Sequence, residues 1–427
     1  MRLHPAWKGA WLAAALSLIG CGEDPPSPSV HQGLISSNQL WRASDNPHVV
    51  RGLVNVRGDS NPVLTLEEGV VVRFERDAAL LIGDETEEVG ALRAVGSSSA
   101  PILFTADSDN PQPGYWGGIH MLGKSAAGTV LSHATIEYAG GLLTLSSEPE
   151  ETLKRTAAGL RVIGDVDARA PVRSVTVQDV IVQKSQNQGV VLVGAGFTED
   201  SHRLTVRDTM GVAVKASTNE VGTLPGDSAL GNNSTNAVQV FLGSVTTTQT
   251  WPNLGVPYQF VDETGLGVPI GLVVGSASSP TLTLSAGIEF QMPAESFILI
   301  GTKDENENPL PGKLKAQGTA QAPIRFVPAS ASPTKGFWSG LFFQGPAGSS
   351  LDYVTVTHAG LPLFGALGRG NINVLTDMGF FVTHSTLSDS SGCGIAVVSY
   401  SASIADFTAS AVENVFTNND GEAQCEM

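Results

Sequence analysis

The chain has 427 residues, with 24 Lys and Arg against 41 Asp and Glu, a formal charge of −17. That length suffices for several compact domains or one long solenoid, and the negative balance excludes a phosphate-tracking nucleic-acid surface and a basic membrane-binding face. Only 15% of residues are charged and 48 are glycine, a mix that suits many short strands joined by glycine turns and, with apolar runs almost throughout, argues against disorder.

At the N-terminus, Arg2 and Lys8 precede an apolar run from Trp11 to Ile19. The run is too short to span a bilayer, so residues 1–20 read as an export signal. Leu18-Ile19-Gly20-Cys21 resembles a bacterial lipobox. The resemblance implies cleavage before Cys21 and attachment of lipid, palmitate included, to Cys21. Gly22 rather than Asp follows, which by similarity to Gram-negative lipoproteins implies an outer-membrane lipoprotein on the periplasmic or extracellular face. Residues 21–33 are expected as a Pro/Ser-rich tether, since Glu23–Gln32 has no apolar periodicity.

The body repeats itself. Gly96, Pro101, Ile102, Phe104, Gly114, Trp116 and Gly118 return 222 positions later as Gly318, Pro323, Ile324, Phe326, Gly336, Trp338 and Gly340. Upstream, Trp41 matches Trp251, Pro47 matches Pro257, and Gly69 matches Gly287; downstream, 131–141 matches 351–361. A long-period repeat of short strands and glycine turns marks a solenoid. Residues 34–243 form one unit and 244–427 a second, C-terminally capped one. No polar linker separates them, so one continuous stack is expected.

The strands are short, rich in Val, Ile, Leu and Thr, and bounded by Gly, Pro, Asn, Asp and Ser. No segment after the signal sustains a 3.6-residue apolar period. Asn-Gly is absent and Asp-Gly occurs only at Asp420-Gly421, which argues against tight antiparallel hairpins. An all-β parallel β-helix fits better, with Gly69 and Gly287 as corners of positive φ and Pro101 and Pro323 opening strands. The pattern L-x-A-x-G-T-x-x-x-P-I-x-F followed by G-x-W-x-G resembles the right-handed β-helix repeats, of pectate-lyase-like type, found in bacterial surface lipoproteins. That superfold carries lyases, hydrolases, adhesins and inert scaffolds, so it implies architecture rather than activity.

Duplication tests the candidates for chemistry. The positions kept in both copies are Gly, Pro, Leu, Ile, Phe and Trp, whereas His120 faces Phe342, His133 faces Tyr353, Glu137 faces Thr357, and Glu67 faces Ser285. No catalytic residue is assigned on this basis. Trp41, Trp116, Trp251 and Trp338 could be sugar platforms, but indoles between repeated glycines are better read as structural. The one polar feature kept twice is acidic: Asp84, Glu85, Glu87 and Glu88 in one loop, and Asp304, Glu305 and Glu307 in its copy. Carboxylates on one turn are oxygen ligands for Ca²⁺, though charge runs usually face water; no other cofactor is expected. Cys393 and Cys425, in an exported chain without adjacent His clusters, read as a disulfide.

The expected function is that of an outer-membrane-anchored lipoprotein whose β-helix is a non-catalytic binding, adhesion or structural module. Its expected partners are the membrane, through the N-terminal lipid, and a polysaccharide or surface protein. A carbohydrate-active enzyme, lyase or hydrolase, on the same scaffold is the alternative. Clustered Asp, Arg and Lys in a groove would favour the enzyme; a side wall of Ser, Thr and Asn would favour the scaffold.

Overall fold

The computed structural model describes residues 28–84, 88–122, 126–143, 157–164, 172–241, 243–261, 271–345, 348–363, 368–376, 379, 381–398 and 405–426. The expected signal, Cys21, Glu85 and Glu87 lie outside the described residues. Apart from one small hairpin, Thr302–Lys303 against Pro309–Leu310, every described ladder is parallel, each strand bonded to the corresponding strand one turn away. The chain is a parallel β-helix.

Each turn contributes up to three short strands, one to each face. The strand Ser29–Ile35 and then His48–Val56 bend across two faces. The next two turns are Val63–Leu66, Val71–Phe74 and Ala79–Ile82, then Ala91–Val95, Ile102–Ala106 and Gly118–Leu122. Within a strand burial alternates, because successive side chains point to opposite faces: in Val71–Phe74, Val72 and Phe74 are buried and Arg73 is exposed. The inward rows run Val72, Phe104, Ile136, Val182, Val206 and Leu230, all in the core. Aromatic rings stack from turn to turn, Phe74 on Trp116 at 3.8 Å and Phe290 on Phe326 at 4.9 Å. Each such ring contributes about 1.5–3 kcal/mol of burial.

Gly69 and Gly287 turn corners at φ +77° and +81°, as their repeat position requires. Many corners, however, use non-glycine residues in the same left-handed region, among them His133, Asp179 and Arg203 in the first half and Tyr353, His384 and Glu413 in the second.

Two features differ from the sequence reading. The expected tether of 21–33 is already strand from Ser29, which pairs with His48; polar Ser29 and Gln32 disguise it, because as the first turn it has core contact on one side only. At the junction of the halves the faces change. Thr235–Phe241, on the third face, pairs with Val212–Ser217 behind it and with Tyr258–Val261 ahead. By sequence Tyr258–Val261 matches the second-face strand His48–Val56. The second face of the first half ends at Ala229–Gly231, and a seven-stranded sheet begins at Gly243–Val245. The pairing through Thr235–Phe241 makes the halves one stack.

The C-terminal turns are closed by the Cys393–Cys425 disulfide, which spans 32 residues. Among the described residues no helix is long and apolar enough to cross a membrane.

Candidate functional site

Outward side chains at equivalent positions stand one above another, about 4.8 Å apart, so a face of the rod is a set of rows. On the second face of the first half one row reads Val49, Arg73, Thr105, Glu137, Gln183 and Arg207. Its last four members bind one another, while Arg73 faces Asp107 at 3.9 Å. Thr105 Oγ1 donates to Glu137 Oε1 at 2.9 Å, Gln183 Nε2 to Glu137 Oε2 at 2.8 Å, and Arg207 Nε to Gln183 Oε1 at 3.0 Å. At the adjoining corner Lys184 Nζ donates to the Tyr138 hydroxyl at 2.9 Å and lies 4.6 Å from that ring's centroid. The bond to Tyr138, helped by Glu137 at 3.7 Å, holds the Lys184 ammonium above the usual lysine range.

The opposite corner of this face carries a second charged row. Arg203 binds Asp179 through two nitrogens, Nη2 to Oδ2 at 2.7 Å, with His133 Nε2 3.7 Å from the same carboxylate. The Arg203 bond is the main reason Asp179 lies below the ordinary carboxylate range. The corresponding rows of the second half are Gln259, Gln291 and Val327, then Thr357, Ser388 and Thr417. Those six continue the Glu137 row and are uncharged, whereas the corner row continues as Tyr353, His384 and Glu413, with His384 Nδ1 2.6 Å from Asp352, and Arg325 pairs with Glu289 at 3.3 Å on the same face.

The third face of the first half holds a different row: Leu81, His120, Arg161, Val191 and Lys215. His120, Arg161 and Lys215 are all buried, at 3%, 6% and 4% exposure. Burial, and secondarily the Arg161 charge, lowers His120 to about 4, so it is neutral at pH 7; its Nε2 lies 3.1 Å from Gly117 O, and its Nδ1 has no partner among the described residues. Lys215 Nζ sits 4.8 Å from the Phe241 centroid. In the second half this position passes to Phe342 and then Asn373, both buried. The duplication test had set His120 aside because its copy is Phe342. It missed Arg161 and Lys215, whose signal is a lone cation inside an apolar strand, AGLRVI and VAVKAS.

The acidic loops are held by their own neighbours. Asp84 Oδ2 accepts from Arg57 at 2.8 Å, Glu88 pairs with the same guanidinium, and Asp84 Oδ1 caps the Glu88 N–H at 3.0 Å. Asp304 accepts from Asn308, side chain and backbone, and from the Asn306 N–H, which holds it below the ordinary range. Glu307 pairs with Lys303 at 2.7 Å and Glu305 faces solvent. Among the described residues no group of three His, Cys, Asp or Glu is placed to hold a metal ion. The four tryptophans of the repeat are 0–2% exposed, so none is a sugar platform.

A family model described as a pectate-lyase-like β-helix domain matches residues 33–143. That stretch covers the first turns and their Gly-x-Trp-x-Gly corner, and agrees with the parallel ladders above. Comparison with curated proteins gives no match, and comparison with solved structures gives none.

Proposed function

We propose that this protein is a lipid-anchored, non-catalytic binding module of a bacterial outer membrane, whose second face holds a linear polysaccharide along the rod. The observation that supports this reading is the Thr105–Glu137–Gln183–Arg207 row, in which donors and acceptors recur at every turn and are satisfied by one another. Such groups are preorganised and need little ordering to exchange one partner for a polymer hydroxyl. The uncharged counterpart of this row in the second half, from Gln259 to Thr417, fits a scaffold extended by duplication.

A glycan array probed with the Cys21→Ser chain tests the reading. Retention of a polysaccharide family that Glu137→Ala and Arg207→Ala weaken together would support it. Retention indifferent to both would place binding elsewhere, and an array without hits would leave a structural rod. The anchor is tested separately: the wild-type chain should partition into detergent and the Cys21→Ala chain should not.

One observation favours the alternative, a carbohydrate-active enzyme. The His120–Arg161–Lys215 row is single-copy and buried, and its histidine is neutral at pH 7 with one nitrogen unpartnered among the described residues. These are properties of a general base beside cations.

A further inference from the structure

The two ends of the rod differ in charge. Among the described residues Ser29–Ile35 pairs only with His48–Val56, and Gln39–Trp41 only with Val63–Leu66, so the first turn presents open strand edges on each of its faces. Proteins usually guard such edges with lysines, prolines or a covering element. From Pro28 to Trp41 there is no Asp, Glu, Lys or Arg, although the whole chain carries −17. Three of the most exposed large apolar side chains stand on this turn: Val30 at 50%, Leu34 at 56% and Leu40 at 42%. They point outward, since each precedes a side chain turned to the inside of the turn, His31, Ile35 or Trp41. Inside the turn, His31 stacks on Trp41 at 3.9 Å and its Nε2 lies 3.0 Å from His48 Nδ1, so the core ends in a flat ring plug.

The opposite end is unlike this. Residues 405–426 include Asp406, Glu413, Asp420, Glu422 and Glu426 and no Lys or Arg, and a disulfide fastens the last strand. Two such ends would repel each other.

We propose that the N-terminal edge is a self-association surface at which two copies of this chain meet head to head, their Ser29–Ile35 strands pairing antiparallel. A two-fold axis perpendicular to the rod reverses the sense in which the second chain winds, so facing edge strands run in opposite directions on every face. Backbone donors and acceptors of both edges are then satisfied at once. The contact is isologous and closes at two copies. Of the two ends, the first turn, whose edge strands carry no charge and whose corner holds Arg42 and Asp45 in balance, is the one where two copies meet with less repulsion.

The test is analytical ultracentrifugation of the full chain carrying Cys21→Ser, with amide exchange read over residues 30–35. A dimer is expected, with edge amides whose protection rises with protein concentration. Val30→Lys with Leu34→Lys should weaken it at least about tenfold while leaving the melting temperature unchanged. Leu40→Lys, on the other edge strand, should act in the same direction. A chain that stays monomeric up to its solubility limit would overturn the proposal. So would edge amides protected in the monomer, which would mean that the chain's own upstream residues cover the edge. Monomers that instead float with zwitterionic vesicles would assign the surface to a membrane. Masses growing beyond the dimer would mean head-to-tail stacking, and a dimer unmoved by all three lysines would place the contact elsewhere.

Discussion

Trp116 and Trp338, 222 positions apart in sequence, donate their indole N–H to the same place in the fold: Trp116 Nε1 to Glu137 O at 2.9 Å and Trp338 Nε1 to Thr357 O at 2.8 Å. Both rings are fully buried. Each therefore ties one turn's corner to the carbonyl at the end of a second-face strand on the next. Trp338→Ala should cost about 3–5 kcal/mol, as large core truncations do. Trp338→Phe, which keeps much of the ring and leaves Thr357 O without its donor, should cost about 1–3 kcal/mol. Chemical denaturation with both variants checks the order. A Trp338→Ala chain as stable as wild type would contradict the packing.

The disulfide closes a loop whose last strand, Gln424–Glu426, pairs only with Cys393–Val397 among the described residues. Cys393→Ser with Cys425→Ser should lower stability by about 3–4 kcal/mol in the chain-entropy model. The loss should be local. Amide exchange should rise across 405–426 while the turns around Trp116 keep their protection.

Two buried groups give the stability opposite pH slopes. His120 has its folded pKa lowered from 6.5 to about 4. The unfolded chain takes up the proton first as pH falls, so stability present above pH 6.5 is lost between 6.5 and about 4. His31, lowered to about 4 by burial and then by His48, acts in the same window. Glu220, raised by burial from 4.5 to about 7, does the reverse: stability present below pH 4.5 is lost as pH rises towards about 7. His120→Phe, the residue found at 342, should flatten the acid flank. Glu220→Gln should recover about 2–3 kcal/mol at pH 8 relative to wild type. Denaturation midpoints from pH 4 to 8 at constant ionic strength check both slopes.

The acidic loops should not respond to calcium in particular. Asp84 and Glu88 share Arg57, and Asp304 spends both oxygens on Asn306 and Asn308. Millimolar Ca²⁺ and Mg²⁺ should shift the melt equally, by screening. A Ca²⁺-specific rise that chelator reverses and that disappears in Asp84→Asn with Asp304→Asn would establish a site instead.

Much of the rod was legible from residue types alone. Gly69 and Gly287 mark corners because only a left-handed turn explains an isolated glycine between strands, and the repeated tryptophans read as core because both copies keep them. The corners built on other residue types were not legible. Tyr353 and His384 accept left-handed backbone while their rings stack at 4.8 Å, and His384 Nδ1 reaches Asp352 at 2.6 Å. Those compensations come from the next turn, 31 or 32 residues away, and a local reading cannot weigh them. The change of face at Thr235–Phe241 is equally hidden, since the duplication matches Tyr258 to the second face while its hydrogen bonds join it to the third. The His120–Arg161–Lys215 row escaped because its members share a face only once the register is known.

The central claim, binding without turnover, is tested most directly by holding a retained polysaccharide with the Cys21→Ser chain and following polymer length and new reducing or unsaturated ends over time. The account predicts retention with unchanged length and no new ends. Shortened polymer whose new ends vanish in His120→Phe, with retention intact, would contradict it and make the buried row a catalytic centre.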